Sequence, residues 1–435
     1  MNSFSNIFKK GLLLIVFSVM LLPIIQDGLN LKKTYPLKGD VKLPSNITFY
    51  KEDWFTGFYQ QEKEIFLNSS FGFRNQFVKL NNQICYSVFN KARANGVIIG
   101  KETYLYEKSY IDAYTGTDFL GDDSISHTLE RWKFINDTLE KLNKHLIIVF
   151  AAGKASFYPE FIPDNYLPIK NKTNYKSLSD GAKKLNLHVI DFNKWFIENK
   201  HKSKYPLYPQ HGVHWSTYGT ALAADSLIKT IENLKKIDMP NMYFDKVTMQ
   251  QPKDVDYDIA DGMNLLFKFK SFDVAYPEMK IENTKGKIKP KVLVISDSFY
   301  WGMYNLGIAN CFTNDHFWYY NNQVYPESST QELLVENLDL KTEIDKHDVF
   351  VIMATEATLR KISWGFTEEV EKLFKGKSIQ KPKMKRDNLK IKSFIDFIKK
   401  DEKWIQDARK RAAEKNISLD SMLVLEAIWQ LEHKN

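Results

Sequence analysis

The apolar positions of this chain fall into three different rhythms. The first is an unbroken run: residues 11–25 read GLLLIVFSVMLLPII, with no charged side chain and with Lys9 and Lys10 just before them. A short polar start ending in two lysines, followed by an uncharged apolar stretch, is an export signal or a membrane anchor. Ile7 and Phe8 lengthen the run towards a full span. No small-x-small cleavage pattern follows at Gln26, Asp27 and Gly28, so the pattern predicts an uncleaved signal-anchor over 1–30, with cleavage as the alternative.

The second rhythm is mixed. Over 31–95 helical spacing shows at 56–67 and 77–89, which predicts a helical lead-in. The segment GVIIGKETYLYE (96–107) then reads as strand, Gly-containing turn and strand, a hairpin.

The third rhythm alternates helices with short apolar strands. Amphipathic stretches at 126–142 and 173–185 are each followed by a β-branched or apolar run, HLIIVF (145–150) and LHVIDF (187–192). KVLVIS (291–296) and HDVFVIM (347–353) come later. Continuous apolar runs separated by helices predict an α/β fold in three layers, with a mostly parallel sheet buried on both faces. In such folds the working residues lie just past the C-terminal ends of the strands. Residues 238–289 show no clear period and read as an insertion into a domain spanning 96–375. From 376 the chain turns Lys-rich, Pro382 is a breaker, and helices are predicted at about 390–415 and 419–431. An apolar stripe of Trp404, Ile405, Met422, Leu425 and Trp429 would pack them.

Composition narrows the classes. With 43% hydrophobic and 26% charged residues the chain is of ordinary globular make-up, neither disordered nor disulfide-dense. The 61 basic and 53 acidic side chains leave a net charge of +8, and the stretch from Lys375 onward carries almost all of it. The nearly neutral main body offers no diffuse basic groove, which argues against nucleic acid as a partner. Cys85 and Cys311 are the only cysteines, read as two unpaired thiols, with one bridge as the alternative. Neither a Gly-rich phosphate loop nor a clustered His/Cys set is present, so no nucleotide or metal cofactor is expected.

Two segments carry candidate chemistry. In VLVISDSFYW (292–301) an apolar strand ends in a Ser-Asp-Ser turn before a predicted helix. Ser298 would stand exposed above the sheet, with its own backbone N–H able to help hold a tetrahedral oxyanion. The alternative is that these side chains only cap the helix. In QHGVHWSTYG (210–219) a Pro-containing loop leads to His214 and Trp215 at the mouth of an Ala-rich helix. A neutral histidine fixed beside an aromatic suits a general base, and it becomes a partner for Ser298 once the two segments are read together. A structural or capping histidine is the alternative.

Taken in order, these segments resemble the SGNH-hydrolase-like polysaccharide O-acetyltransferases, the alginate O-acetyltransferase-like family. GKETYLYE looks like the family's hairpin and FAAGKASFYPEFIP (150–163) like its strand, Lys and Tyr-Pro block. HWSTYGTALAAD (214–225) looks like the histidine block and ISDSF (295–299) the nucleophile block. The resemblance runs from about Phe55 to Leu373, with the histidine block preceding the serine block. It implies Ser298 as nucleophile, His214 as general base, an acetyl group arriving from a membrane-bound O-acyltransferase of the MBOAT type, and an exported polysaccharide as acceptor. It also implies a single-pass inner-membrane location with the catalytic domain outside the cytoplasm. Carbohydrate esterase and glycan-binding or assembly protein are the alternatives. The sequence departs from the family where an acidic residue should stand two positions before the histidine: Gly212 is there. Glu356, Asp254 and Asp256 are the candidates for the missing carboxylate. Tyr304, Lys154, Tyr158 and Trp215 complete the expected oxyanion and substrate residues.

Overall fold

The computed structural model describes residues 2–29, 36–39, 49, 54–55, 57–167, 171–313, 316–377, 394–395, 397–399, 401–414 and 419–433. It divides into two compact units. One comprises residues 1–81 and 380–435, the other residues 82–379.

In the first unit the apolar run forms the helix Asn2–Leu29. Its Ile7–Gln26 stretch has mean hydropathy 2.1 and no buried share, which makes it long and apolar enough to cross a membrane. The predicted lead-in helices appear as Phe58–Ser70 and Arg74–Phe89, the latter running across the boundary between units. Towards the C-terminus lie the helices Glu402–Glu414 and Leu419–His433, while the stretch around Pro382 falls outside the described residues. Their packing differs from the expected stripe. Leu419, Met422, Leu423 and Ala427 are buried, whereas Leu425 and Trp429 are exposed. The buried set follows helical i, i+3, i+4, i+8 spacing, and that register turns Leu425 and Trp429 outward.

The second unit is built on a six-stranded sheet of order β4-β3-β10-β7-β8-β9. The strands are β3 (His145–Ala151), β4 (His188–Asp191), β7 (Val292–Ser296), β8 (His316–Tyr319), β9 (Gln323–Tyr325) and β10 (Val349–Thr355). All neighbours are parallel except β8 and β9. Successive residues point to opposite faces, and both faces are covered. Ile147, Val149, Val294, Val351 and Met353 enter one apolar cluster, with the helix Thr217–Lys235 against it. Leu146, Ile148, Ile295, Phe350 and Ile352 enter the other, with Trp132 and Leu178 of the opposite helical layer. Two-sided burial is why these strands read as continuous apolar runs. The fold is thus the expected three-layer SGNH-like α/β arrangement.

The hairpin forms as β1 (Val97–Ile99) and β2 (Leu105–Glu107). Within 238–289 the structure places an antiparallel ribbon, β5 (Met242–Gln250) and β6 (Val274–Ile281), on either side of a short turn-and-helix segment. The ribbon escaped the pattern because most of β5 is exposed and carries no clean alternation. β8 and β9 were also missed, being short strands at the sheet edge.

Candidate active site

The C-terminal ends of β7, β3 and β10 converge on one side of the sheet. Beyond β7 the chain turns through Asp297 and Ser298 into the six-residue helix Tyr300–Asn305. Asp297 is buried, and its two oxygens bind the turn on all sides. Oδ1 accepts the Phe299 N–H at 3.1 Å. Oδ2 accepts the Thr355 N–H at 2.9 Å and the hydroxyls of Thr355 and Thr358 at 3.1 and 2.7 Å. A buried carboxylate so fully paired is a rigid fitting, and it holds the turn against the end of β10.

Ser298 and His214 meet across this turn: the serine Oγ lies 2.9 Å from the imidazole Nε2. On the other side of the ring, Nδ1 lies 2.7 Å from Oδ2 of Asp258. An ionised carboxylate can only accept, so Nδ1 carries the proton and Nε2 presents its lone pair to the serine hydroxyl. The second oxygen of Asp258 accepts the Val213 N–H at 2.8 Å and the Ile259 N–H at 2.7 Å. The Val213 bond fixes the carboxylate to the loop that bears the histidine, and the Ile259 bond holds it against its own backbone. Burial by itself lowers an imidazole's pKa, but the Asp258 hydrogen bond and charge, helped by Asp297 and Glu107, outweigh it and hold His214 above its ordinary value.

Asp258 is not among the carboxylates expected at this position, and the three that were expected lie elsewhere. Asp254 is exposed. Asp256 faces away from the histidine to take the N–H and hydroxyl of Thr217 at 3.2 and 2.8 Å, fixing the start of the Thr217–Lys235 helix. Glu356 is buried against Gly153, where an added Cβ would stand 2.1 Å from its Oε2. A geometric reason connects Gly212 with Asp258. A Cβ on residue 212 would lie 2.6 Å from the Val255 carbonyl oxygen and 2.8 Å from the Asp256 carbonyl carbon. The segment that delivers Asp258 therefore passes directly over a position where only glycine leaves room.

The other expected residues surround the site without all facing it. Trp215 is buried between Phe196 and Phe299, ring centroids 5.4 Å away in each case, and anchors the backbone beside His214. Lys154 is fully buried and does not open onto the pocket. Its Nζ donates to the carbonyl oxygens of Gln210 at 2.8 Å and Gly212 at 2.6 Å, bracing the histidine loop from below. Burial, partly offset by Asp258 and Glu107, brings its pKa down to about 7. Tyr158 is buried and donates to the Tyr208 carbonyl at 3.1 Å. Tyr304 packs against Trp301 and Phe317 and is not one of the pocket's walls.

A pocket of about 380 Å³ opens over Ser298, His214 and Asp258. Tyr320, Tyr110, Thr358 and Glu107 also line it. The Tyr320 side chain interacts with Ser298, and burial with the nearby Asp297 raises its pKa, so it is a protonated donor at neutral pH. Glu107 reaches solvent through the mouth, yet desolvation and the Asp258 charge raise its carboxyl pKa. Asp258, Tyr320 and Glu107 are the members that sequence reasoning missed.

Fold and site together define an SGNH hydrolase-like domain with a Ser-His-Asp constellation. Residues 97–260 match the family described as "SGNH hydrolase-like domain, acetyltransferase AlgX". The class read from the hairpin, histidine and serine blocks agrees with this match. Among solved structures the chain resembles the O-acetyltransferase domain of Pseudomonas putida AlgJ, with 13% identity, 63% of this chain and 99% of that one covered, and a TM-score of 0.42. It also resembles Pseudomonas aeruginosa AlgX, with 11% identity, coverage of 65% and 68%, and a TM-score of 0.42. For Bacillus cereus PatB1 the values are 12%, 60%, 96% and 0.37. No curated protein matches the sequence.

Proposed function

We propose that the chain transfers acetyl groups to the hydroxyls of an exported polysaccharide through an acyl-enzyme on Ser298. The observation that carries this reading is the unbroken relay from Ser298 Oγ to His214 Nε2 and from His214 Nδ1 to Asp258. In the first half-reaction Ser298 Oγ attacks the carbonyl carbon of an acetyl donor while its proton passes to His214. The resulting imidazolium is stabilised by Asp258, and the tetrahedral oxyanion by the Ser298 N–H with Tyr320 as a side-chain donor. Collapse expels the donor's leaving group, which takes the proton from His214. In the second half-reaction a sugar hydroxyl gives its proton to His214 and attacks the acetyl-serine, and the proton then returns to Ser298 Oγ.

By resemblance the donor is a membrane-bound O-acyltransferase of the MBOAT type. The apolar N-terminal helix would hold the domain beside it on the outer side of the inner membrane. Carbohydrate de-esterification uses the same acyl-enzyme and differs only in accepting water. The deciding experiment incubates the detergent-extracted full chain with an activated acetyl ester, with and without acetyl-free glycan acceptors. An adduct of about 42 Da, one acetyl replacing one hydrogen, is expected on the Ser298 peptide and absent in Ser298→Ala. Glycan that gains the acetyl identifies a transferase. Adduct lost only to water identifies an esterase, and no adduct at all overturns both readings.

A further inference from the structure

The opposite end of the sheet carries a second cluster of ligating side chains. His316 opens β8, Glu343 lies on the helix Leu340–Lys346, and His347 follows that helix just before β10. β7 lies between β8 and β10, and its paired residues there, Val292 with Val349 and Leu293 with His316, are the first of the strand. Ser298, by contrast, lies past its last residue, so the cluster is separated from the active site by the length of the strand.

One ligand atom from each of His316, Glu343 and His347 can be chosen so that all three lie within 4.8 Å of one another. His316 Nδ1, Glu343 Oε2 and His347 Nε2 are all buried and lack a hydrogen-bond partner among the described residues. The His316 Nδ1 to Glu343 Oε2 separation is 3.4 Å. That is close to the edge of a tetrahedron with metal–nitrogen bonds of about 2.0–2.1 Å. Glu343 and His347 are almost wholly buried, so polar atoms there without a hydrogen bond are costly, and the 3.4 Å contact between Glu343 and His316 offsets that only when the imidazole is charged.

The outer contacts determine which atoms are left to serve as ligands. His347 Nδ1 lies 2.6 Å from the main-chain oxygen of Glu343, so it carries the proton and leaves Nε2 as a lone pair. His316 Nε2 lies 3.2 Å from Glu327 Oε1, which favours the proton there and frees Nδ1. Each imidazole is thus oriented by an acceptor on its far nitrogen, as metal-bound histidines are. Lys346 takes only the other oxygen of Glu343, at 2.7 Å.

We infer that His316, Glu343 and His347 bind a zinc ion that ties the entries of β8 and β10 together across β7. Two imidazoles with one carboxylate favour zinc over magnesium or calcium, which prefer all-oxygen shells. A fourth position is left for water. Sequence spacing hides such a site, because His316 comes from a strand far from the Glu343–His347 turn; the expectation of no metal rested on that spacing.

The test uses the full chain in detergent, stripped with EDTA, desalted and titrated with Zn²⁺ against a chromophoric chelator. One tightly held zinc per chain is expected. His316→Ala and Glu343→Gln should abolish it, and Glu327→Gln should weaken it by about 10–100-fold through the lost orienting contact. Ser298→Ala and His188→Ala should retain it, the latter because His188 belongs to a separate imidazole pair with His145. Folding of each variant is checked by near-UV circular dichroism, and Glu327 is exposed enough that its variant keeps the test decisive should His316→Ala or Glu343→Gln fail to fold. Failure of wild type to compete with the chelator overturns the inference. So does unchanged affinity in Glu327→Gln, or zinc retained by a folded His316→Ala.

Discussion

Replacing Asp258 by Asn tests the relay at its least expected member. The substitution keeps shape and leaves Oδ1 free to accept the Val213 and Ile259 N–H groups, at 2.8 and 2.7 Å in the wild type. What changes is the atom 2.7 Å from His214 Nδ1, which becomes an amide that donates. Two donors cannot face each other, so the histidine proton moves to Nε2 and the lone pair facing Ser298 is lost. The same wrong-tautomer defect in a serine protease lowers kcat about 10⁴-fold, or about 5.5 kcal/mol of transition-state stabilisation. Acetyl release from an activated ester, followed by stopped-flow or discontinuous mass spectrometry, measures the loss directly. The pH profile supplies a second reading. His214 must be neutral to act as base and its pKa is raised in the wild type, so the rate should climb with pH through a midpoint above about 6.5. In Asp258→Asn that limb should move to lower pH as the residual rate falls. Asp254→Asn and Asp256→Asn should stay within about tenfold of wild type, since neither carboxylate reaches the imidazole. If Asp258→Asn also stayed within tenfold, the relay from Ser298 through His214 to Asp258 would not operate and the carboxylate would be structural only.

Tyr320→Phe should lower kcat about 10²-fold by removing an oxyanion donor, while Tyr304→Phe should remain within about threefold; equal losses in an ester-turnover assay would remove Tyr320 from the oxyanion site. Gly212→Asp, which places an acid two residues before the histidine, should fail to raise activity and should destabilise by about 2 kcal/mol in urea unfolding, because its Cβ meets backbone atoms that cannot yield cheaply. An active, equally stable Gly212→Asp would show that the 255–258 backbone is free to move aside. Lys154 has a folded pKa near 7 against 10.5 for the free side chain, so between those values the unfolded chain binds the extra proton and stability rises with pH. Lys154→Met should flatten that rise between about pH 7 and 10, measured by urea midpoints; an unchanged slope would mean that Lys154 stays charged in the fold.

The parts of this molecule that were legible in the sequence are those where one physical demand dominates. Buried parallel strands must be apolar on both faces, and HLIIVF and HDVFVIM announced themselves for that reason. A serine at a strand end and a histidine before a helix are likewise local patterns, and 2.9 Å now separates them. Contacts made by chance of path were not legible. Asp254, Asp256 and Asp258 alternate along one acidic stretch, and nothing in that spacing tells which will meet the histidine. The choice is made by the backbone turn at 254–258, in which Asp254 adopts a left-handed φ of 51°. β5, the first strand of the ribbon that frames this turn, is mostly exposed and so left no periodic trace. Tyr320 was hidden for a related reason: its side chain reaches the site from the loop after a strand of only four residues.

Gly212 and the path that brings Asp258 to the histidine are therefore two halves of one arrangement. An aspartate two residues before the histidine would need the space that the Val255 carbonyl now fills, and the present Asp258 needs the path that fills it. Asp258 supplies the carboxylate to Nδ1, and a side chain at 212 does not fit beside the path that delivers it. Mutating one half alone leaves a chain with a clash or with no acid. Only a paired change, moving the acid and opening the 255–258 path at once, can convert one arrangement to the other. Two positions in backbone contact are expected to be strongly non-additive, with the double variant more active than the sum of its single losses allows. Gly212→Asp combined with Asp258→Gly and a shortened 254–257 turn is the construction in which that coupling becomes measurable. A double variant no better than the worse of its two parents would mean that the carboxylate at 258 does more than orient the imidazole, a result that its bond to the Val213 N–H already makes physically intelligible.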